Sequence, residues 1–392
     1  MKILLKRLFV FCCYSSLAFA QSPLQLKIEE LFNPRSLDLA VEVPWPSGVK
    51  ASPSLAAGDL LLQPCPTLFQ DRPGDPCPGA CVWLPPSVSQ GTAEMVPTAL
   101  ATPFQFRDDN GRLYIDESGQ PVLAFVYAPQ LPEGVPEDRR RAVYIHPLYD
   151  PLGQIISDDF PKDHYHHRGL SWMWPRVTIA GREHNLWELS GDIHQQFEQW
   201  LCKESGPIAA VLAMQNSWRV ADRRVLEERI WLRVFRSSGQ GRLIDLRLSL
   251  RPLEPISLLG AENKGYGGLS FRFAPRDCTV ITSPLGRVRE DSNDQLFVWT
   301  DLSARFRGAG QFSGATILQH PGNPGAPAEW CIRHYGFLGV SWPGLHRITL
   351  EADKVVTFRF RIWLHRGSGH EAFLPSLYES FIHPPQIRLI AN

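Results

Sequence analysis

Apolar and polar residues alternate along much of the chain after about residue 104. The segments DLRLSL at 245–250 and FRFRIWL at 358–364 place an apolar residue at every second position. A period of two is typical of strands with one buried and one solvated face, as in antiparallel sheets. Similar segments lie at 224–235, 268–274 and 295–306. Helical patterns are few, with at most short helices expected near Glu379 and at 185–191. The pattern predicts an all-β protein.

The first hundred residues differ in composition from the rest. From Gln21 to about Ala101 the chain is rich in Pro, Ser and Ala, with short apolar bursts at 37–43 and 58–63. Strand-sized bursts between turn residues indicate a small β-domain. We therefore predict an N-terminal β-domain at 21–103 and a large antiparallel two-sheet sandwich at 104–392. No internal repeat of 20–50 residues is present, so a propeller is not expected.

Residues 1–20 read MKILLKRLFVFCCYSSLAFA, with basic residues, an apolar run and a final Ala-Phe-Ala. This order is typical of a secretory signal peptide, here cleaved before Gln21. No later stretch reaches the roughly 18 apolar residues of a membrane-spanning helix. We expect a periplasmic or secreted protein without a transmembrane segment.

Charge and cysteine content narrow the class of protein. Forty basic and forty acidic residues give a formal net charge of zero, so a nucleic-acid partner is not expected. Two of the eight cysteines lie in the leader, and an even number remaining in an exported protein indicates disulfides. A local clasp is expected among Cys65, Cys77 and Cys81, with the pairing left open. A zinc site there lacks a fourth ligand.

The segment 144–194 carries half of the twelve histidines of the chain, which are His146, His164, His166, His167, His184 and His194. If residues 163–168 are extended, His164 and His166 project from one face and His167 from the other. Paired imidazoles can polarise an oxygen, transfer a proton or bind a metal. A lone histidine is more often structural, but a cluster of this density favours function.

Candidate catalytic residues are His164 and His166 as acid or electrophile and Glu188 as base, with His146 as a further candidate. A salt bridge or a helix cap is an equal alternative for Glu188. Candidates for substrate binding are arginines, whose planar guanidinium groups can bind substrate oxygens, tryptophans, whose rings can stack on a sugar, and several loop residues. Each of them could instead have a purely structural role. These candidates are Arg168, Trp172, Trp187, His194, Lys264, His320, Arg333 and Tyr335.

No cofactor is required by this chemistry, but a divalent metal is an alternative. His146, His164 and His166 would then be the ligands, and Glu188 could complete an open site. Two histidines separated by one residue are compatible with binding zinc or copper, but this spacing alone does not identify a metal site.

Several motifs resemble one family of proteins over about residues 104–385. They are YIHPLYDPLG (144–153), DHYHHRGLSW (163–172), LWE (186–188) with GDIH (191–194), NKGYGGLSFR (263–272) and QHPGNPGAPAEWCIRHYGFLG (319–339). The chain resembles exported bacterial proteins labelled "methane oxygenase PmoA-like". That resemblance implies a galactose-mutarotase-like β-sandwich, a scaffold on which sugar epimerases, lyases and hydrolases place histidines on a concave sheet. At 263–265 this chain has Asn-Lys-Gly where the family has a lysine-glutamate pair, so an acid is not expected there.

The label does not lead us to expect methane oxidation. The particulate methane monooxygenase subunit is an integral membrane protein, whereas no transmembrane segment is expected in this chain. We predict an exported carbohydrate-active protein, favouring an enzyme that hydrolyses, eliminates or epimerises a sugar in a histidine-rich cleft. The alternatives are a non-catalytic glycan-binding or surface protein and a histidine-ligated metal-dependent oxidase.

Overall fold

The computed structural model describes residues 24–30, 38–47, 54–69, 76–239, 241–308, 310–369 and 373–391. The expected signal peptide at 1–20 lies outside these residues. Within the described ranges no helix is both long enough and apolar enough to cross a membrane.

The described residues form β-strands almost throughout, with a 3-10 turn at Glu137–Arg139 and a single described α-helix, α1, at Leu374–Ile382. The short helix expected near Glu379 is therefore confirmed, whereas 185–191 forms a turn closed by an Asn185–Ser190 bridge. Strands β1 to β29 are, in chain order, Leu24–Glu30, Leu39–Pro44, Leu55–Ala57, Leu60–Pro66, Pro78–Leu84, Gly91–Pro97, Phe104–Asp109, Arg112–Glu117, Gln120–Val126, Tyr144–Leu148, Leu170–Met173, Arg176–Ile179, Arg182–His184, Ile193–Ser205, Ala209–Val220, Arg223–Phe235, Gly241–Pro252, Ile256–Leu259, Gly268–Arg272, Arg276–Ser283, Gly286–Val288, Ser292–Leu296, Trp299–Phe306, Ser313–Gln319, Glu329–Arg333, Phe337–Ser341, Ile348–Leu350, Val356–Arg366 and Gln386–Ala391.

Two antiparallel nine-stranded sheets enclose the main core. Their strand orders are β22-β25-β26-β19-β11-β10-β9-β8-β7 and β14-β15-β16-β17-β28-β24-β23-β20-β21. The core between them takes apolar side chains from both sheets, and the four-stranded sheet β13-β12-β18-β27 adds to the same core. The expected all-β sandwich is confirmed.

The two segments with the clearest alternation are neighbours, because β17 pairs with β28 and sets Leu246 opposite Phe360. The expectation that their polar face is wet is wrong. Asp245 is fully buried and accepts two hydrogen bonds from Arg361, of 2.7 and 3.0 Å. The apolar ring of Phe69 and helix α1 cover this face, so a buried charge there needs a charged partner.

The N-terminal strands form a seven-stranded sheet of order β2-β5-β4-β3-β6-β1-β29. Its last strand comes from the C-terminus, since β29 pairs with β1 and sets Leu389 opposite Leu26. A second core joins this sheet to α1 and to the outer face of the large sandwich. The division at 103/104 stays a prediction, and Gln386–Ala391 belongs structurally to the N-terminal sheet.

The six described cysteines are unbridged in the structure. The expected clasp is therefore not bonded in this structure, and the pair Cys65 and Cys81 lies on the neighbouring strands β4 and β5 with the Sγ atoms 3.1 Å apart.

Candidate functional site

The three clustered histidines lie in consecutive turns between β10 and β11. The amide of His164 donates to Pro161 O and the amide of His167 to His164 O, each at 2.9 Å. The expectation of an extended segment with His167 on the opposite face is therefore wrong. Because the chain turns here, all three imidazoles converge. Ring centroids lie 4.6 Å apart for His164 and His167, 4.6 Å for His166 and His167, and 5.6 Å for His164 and His166.

Arg168 fixes the backbone of this turn. Its Nη1 donates to Tyr165 O and His167 O, and its Nη2 to Arg139 O, all at 2.6 Å. The side chain is 1% exposed. Arg168 is not among the residues that line the cavity described below, so the structure does not place it as a substrate ligand. It positions the histidines instead.

A cavity of about 130 Å³ opens beside the histidine turn. It brings together His164, His166, Trp187, Glu188, Lys264, Arg333 and Tyr335 from the sequence-derived candidates. It also includes residues that the sequence did not single out as ligands. The full lining is His164, His166, His167, Trp187, Glu188, Lys264, Tyr266, Cys331, Arg333, Tyr335 and Phe337.

The cavity lies on the outer face of the nine-stranded sheet that contains β11, β19, β25 and β26. Met173, Cys331 and Phe337 form a small apolar cluster on that face together with Trp187. Their chain neighbours, such as Trp172 and Leu338, point into the main core. Because successive side chains of a strand point to opposite faces of the sheet, one set lies beneath the cavity and the other set lies in the core. Trp172 lies in the core and not at the cavity.

A second turn, at residues 186–189, carries Trp187 and Glu188. The buried guanidinium of Arg141 donates to the backbone oxygens of Leu186 and Trp187. Arg139 donates to Glu188 O at 2.9 Å, while its distance to the Glu188 carboxylate is 3.9 Å. The backbone of Glu188 is thus held firmly, and its half-exposed carboxylate has only a long ionic contact. That arrangement leaves the carboxylate available at the cavity.

Asp163 was not singled out from the sequence, but it contacts the first histidine. Its Oδ2 lies 3.1 Å from His164 Nδ1, and both of its oxygens accept from Arg272 Nη2, at 2.9 and 2.8 Å. Burial opposes ionisation of Asp163, yet the contacts with His164 and Arg272 lower its pKa. Adjacent side chains of an extended strand point to opposite faces, so the sequence predicts a contact between Asp163 and His164 only if a turn is expected there.

Aromatic rings surround the imidazoles. Tyr335 stacks on His164 with centroids 5.4 Å apart, and Phe337 lies 5.0 Å from His167. Trp187 packs against Tyr266 at 4.9 Å. Arg272 lies 4.8 Å from the centre of the Tyr335 ring. The walls of the cavity therefore combine flat apolar faces with imidazole edges.

Burial keeps two of the histidines neutral. Burial, with the neighbouring His164 and nearby arginines, lowers the pKa of His166 to about 4. Burial and the neighbouring histidines lower the pKa of His167 to about 2. Near neutral pH each ring therefore offers one hydrogen-bond donor and one acceptor and carries no charge.

Histidines elsewhere in the fold have protein partners for a ring nitrogen. His146 Nδ1 lies 2.9 Å from Ser157 Oγ, His334 Nδ1 lies 2.8 Å from Asp291 Oδ1, and His365 Nε2 lies 2.9 Å from Asp301 Oδ1. No hydrogen bond from a described residue reaches a ring nitrogen of His166 or His167, and the buried Nδ1 of His167 has no partner there. Structural histidines are normally satisfied, so these two differ from His146, His334 and His365.

Three further candidates, all histidines, lie away from the cavity, as Arg168 and Trp172 do. His146 bonds Ser157, and burial lowers its pKa to about 3. His194 lies on β14 opposite Arg219. His320 stacks on Phe69 with centroids 6.0 Å apart, at the contact between the N-terminal part and the large sandwich. These positions depend on long-range packing, which the sequence does not display.

A metal site of three or more His, Cys, Asp or Glu side chains is not formed by the described residues. His146 in particular does not line the cavity with His164 and His166. The ligand set proposed from the sequence is thus not assembled.

Two cations contribute to the cavity in different ways. Arg333 is engaged, because Nη1 donates to Ser292 O at 2.8 Å and Nη2 to Asn293 Oδ1 at 2.5 Å. Lys264 is exposed in a loop whose turn is closed by a hydrogen bond from its amide to Ala261 O.

The sequence matches a family described as "Family of unknown function (DUF6807)" over residues 112–379. A search of curated protein sequences finds no match to this chain. Nothing found bears on the PmoA-like label, which stays a prediction.

Solved structures with a similar fold include a galactose mutarotase related enzyme from Lactobacillus acidophilus (TM-score 0.33, 8% identity, covering 68% of this chain and 99% of that one). Another is galactose 1-epimerase from Lactobacillus acidophilus NCFM (TM-score 0.30, 8% identity, covering 69% of this chain and 100% of that one). A protein described as a kojibiose phosphorylase from the human microbiome has a TM-score of 0.29 and 9% identity over 53% of this chain, which spans only 24% of its length. At these TM-scores the similarities are distant, and no argument about function rests on them.

Proposed function

The chain belongs to the DUF6807 family of unknown function, and we propose that its cavity binds a carbohydrate and that the protein is an exported sugar-processing enzyme. One observation carries the proposal. His166 and His167 are neutral and have no hydrogen-bonding partner among the described residues, yet they line a cavity with an indole, a phenol and a carboxylate.

The hydrogen-bonding character of the cavity suits an uncharged polyol. A sugar hydroxyl both donates and accepts, and so does a neutral imidazole. An anionic ligand would instead favour several charged donors. Of the two cations that line the cavity, Arg333 is already bonded to Ser292 and Asn293, which leaves Lys264 to face an anion. The two histidines therefore recognise hydroxyls better than they recognise a phosphate or carboxylate.

The aromatic walls suit the apolar side of the same ligand. Trp187 and Tyr335 come from two different turns and both line the cavity, where Tyr335 is half-exposed and Trp187 is almost fully buried. Flat aromatic faces pack against the C–H faces of a sugar ring while hydroxyls at its edge reach polar groups. This pairing of flat apolar walls and neutral polar edges is the pattern expected of a carbohydrate site.

The titratable groups support proton transfer. Glu188 is the base, since its carboxylate is half-exposed at the cavity and only distantly paired. His164 is its counterpart, and the Asp163 carboxylate lies 3.1 Å from its Nδ1. His166 donates a hydrogen bond to a substrate oxygen as a neutral electrophile. Hydrolysis, β-elimination and epimerisation all use such an acid-base pair.

The test is a panel of mono- and oligosaccharides assayed with the wild-type protein for product by mass spectrometry and for binding by calorimetry. We expect His166→Gln and Glu188→Gln each to reduce turnover by at least tenfold. His320→Gln is the matched control, because His320 lies at another contact in the fold. Unchanged turnover in both cavity variants would overturn the assignment. Sugar binding without product would instead indicate a glycan-binding protein.

Export is tested separately. Expression of the full chain in a bacterium that has a periplasm should yield a mature protein beginning at Gln21. A cytoplasmic protein that retains residues 1–20 would contradict this part of the proposal.

A further inference from the structure

A second, larger groove adjoins the histidine cavity. It has a volume of about 750 Å³. We propose that this outer groove holds the continuation of a neutral saccharide chain whose terminal unit enters the histidine cavity. The inference rests on the proposed function and specifies its substrate class as an oligosaccharide or polysaccharide rather than a free monosaccharide.

The sizes of the two spaces favour a substrate that occupies both. Small-molecule sites usually have volumes of roughly 300–1,000 Å³. The histidine cavity, at about 130 Å³, falls below that range, whereas the outer groove falls within it. The cavity alone therefore encloses only the reacting end of a ligand, and the groove provides the remaining contact surface.

The two spaces share walls. Lys264 lines both of them. Arg333 lines the cavity, and its guanidinium bonds Ser292 and Asn293, which line the groove. His334 Nδ1 lies 2.8 Å from Asp291, another groove residue. The cavity and the groove therefore meet at Lys264.

The chemistry of the groove suits an uncharged chain. Its lining includes three cationic and four anionic side chains, which are Lys264, Arg287, Arg289, Glu290, Asp291, Asp294 and Glu329. Near balance of charge provides no positive field to attract a polyanion such as a uronate polymer. Leu285 and Leu345 also line the groove and are 84% and 56% exposed. Exposed leucines beside polar groups match the mixed C–H and hydroxyl surface of a neutral glycan.

The experiment measures affinity against chain length. Neutral gluco-, galacto-, manno- and xylo-oligosaccharides from one to six units, and uronate oligomers of the same lengths, serve as probes for the wild-type protein in calorimetry. We expect affinity for the recognised series to rise at least tenfold between the monosaccharide and the trisaccharide. The double variant Leu285→Ser/Arg287→Ser should lose this gain and keep the monosaccharide affinity, because its two side chains line only the outer groove. Leu253→Ser, at an exposed leucine outside the groove lining, should retain the gain.

The outcomes separate the two proposals. Equal affinity for the monosaccharide and its oligomers would overturn the groove assignment and leave the cavity assignment standing. A stronger length dependence for uronate oligomers than for neutral ones would overturn the neutral-chain inference. Failure of the wild-type protein to bind any of the sugars would overturn both.

Discussion

The imidazoles of His164 and His167 lie parallel, with their centroids 4.6 Å apart and their planes 4° from each other. Two positive charges at this separation would repel each other, and Arg272 and Arg168 add further positive charge near His167. Burial is the largest of the effects that lower the pKa of His167 to about 2. The stack is therefore stable only while His167 is neutral.

This relationship predicts a pH dependence of stability. In the unfolded chain the pKa of a histidine is about 6.5, so His167 takes up a proton there as the pH falls below that value, while the folded form stays neutral. Its contribution to stability is complete above about pH 6.5 and is lost at ~1.4 kcal/mol per pH unit below it. Between about pH 7 and pH 5 the wild type should lose about 2 kcal/mol more than His167→Gln. Urea titrations of both proteins at the two pH values measure this, and parallel losses would contradict it.

Arg168 leads to a second prediction. Its guanidinium bonds three backbone oxygens at 2.6 Å and lies 3.7 Å from the buried Asp159. Arg168→Met removes these donors and leaves the acceptors buried, so we expect a loss of about 3–5 kcal/mol in the free energy of unfolding. Arg388→Met is the control, because Arg388 is largely exposed and pairs with Glu29 on the surface. Equal stability of the two variants would rule out the positioning role of Arg168.

The strands were predictable because their signal is local. Alternation at 245–250 and 358–364 identifies two strands without reference to the rest of the chain, and these strands are in fact neighbours. Their polar face is the exception. Asp245 looks solvated in sequence because its partner Arg361 is far away along the chain. The two-residue alternation shows which residues of a strand share a face. Only the tertiary structure determines whether that face is buried by other elements.

The site was predictable in part. The histidine cluster, Trp187 and Glu188 do meet in one cavity. The sequence suggests an extended segment at His167 because DHYHHR at 163–168 contains no glycine or proline. The turns in fact begin two residues earlier, at Pro161, whose carbonyl accepts the hydrogen bond from the His164 amide. The sequence suggests Arg168 as a ligand because it lies next to the histidine cluster, but the sequence does not show whether its side chain points toward the cavity or away from it. Its inward orientation depends on carbonyls such as Arg139 O, which is remote in sequence.

Gly169 supplies a third prediction, since it follows Arg168 at a point of close packing. A Cβ atom there would collide with the backbone oxygen of Ile145 and approach His146 Cβ at 3.1 Å and Ser157 Cβ at 3.3 Å. Overpacking of this kind typically costs about 1–3 kcal/mol. We expect Gly169→Ala to destabilise the protein by that amount and to reduce sugar binding, because the histidine turn must shift. Gly239→Ala introduces a Cβ with no atom within 4 Å and is the control. Identical melting temperatures would show that the packing tolerates the methyl group.

Cys65 and Cys81 provide the last prediction. Both side chains are buried on adjacent strands, and their Sγ atoms are 3.1 Å apart. In an oxidising compartment a disulfide donor would accept two electrons and two protons from this pair and leave a Cys65–Cys81 bond. A bond closing a loop of this length should stabilise the protein by about 3 kcal/mol. Protein prepared from the periplasm should therefore show four titratable thiols among the six cysteines that follow residue 20, and reduction should lower its stability by that amount. Cys202→Ser should leave the effect of reduction unchanged, whereas six free thiols in the wild type would contradict the bond.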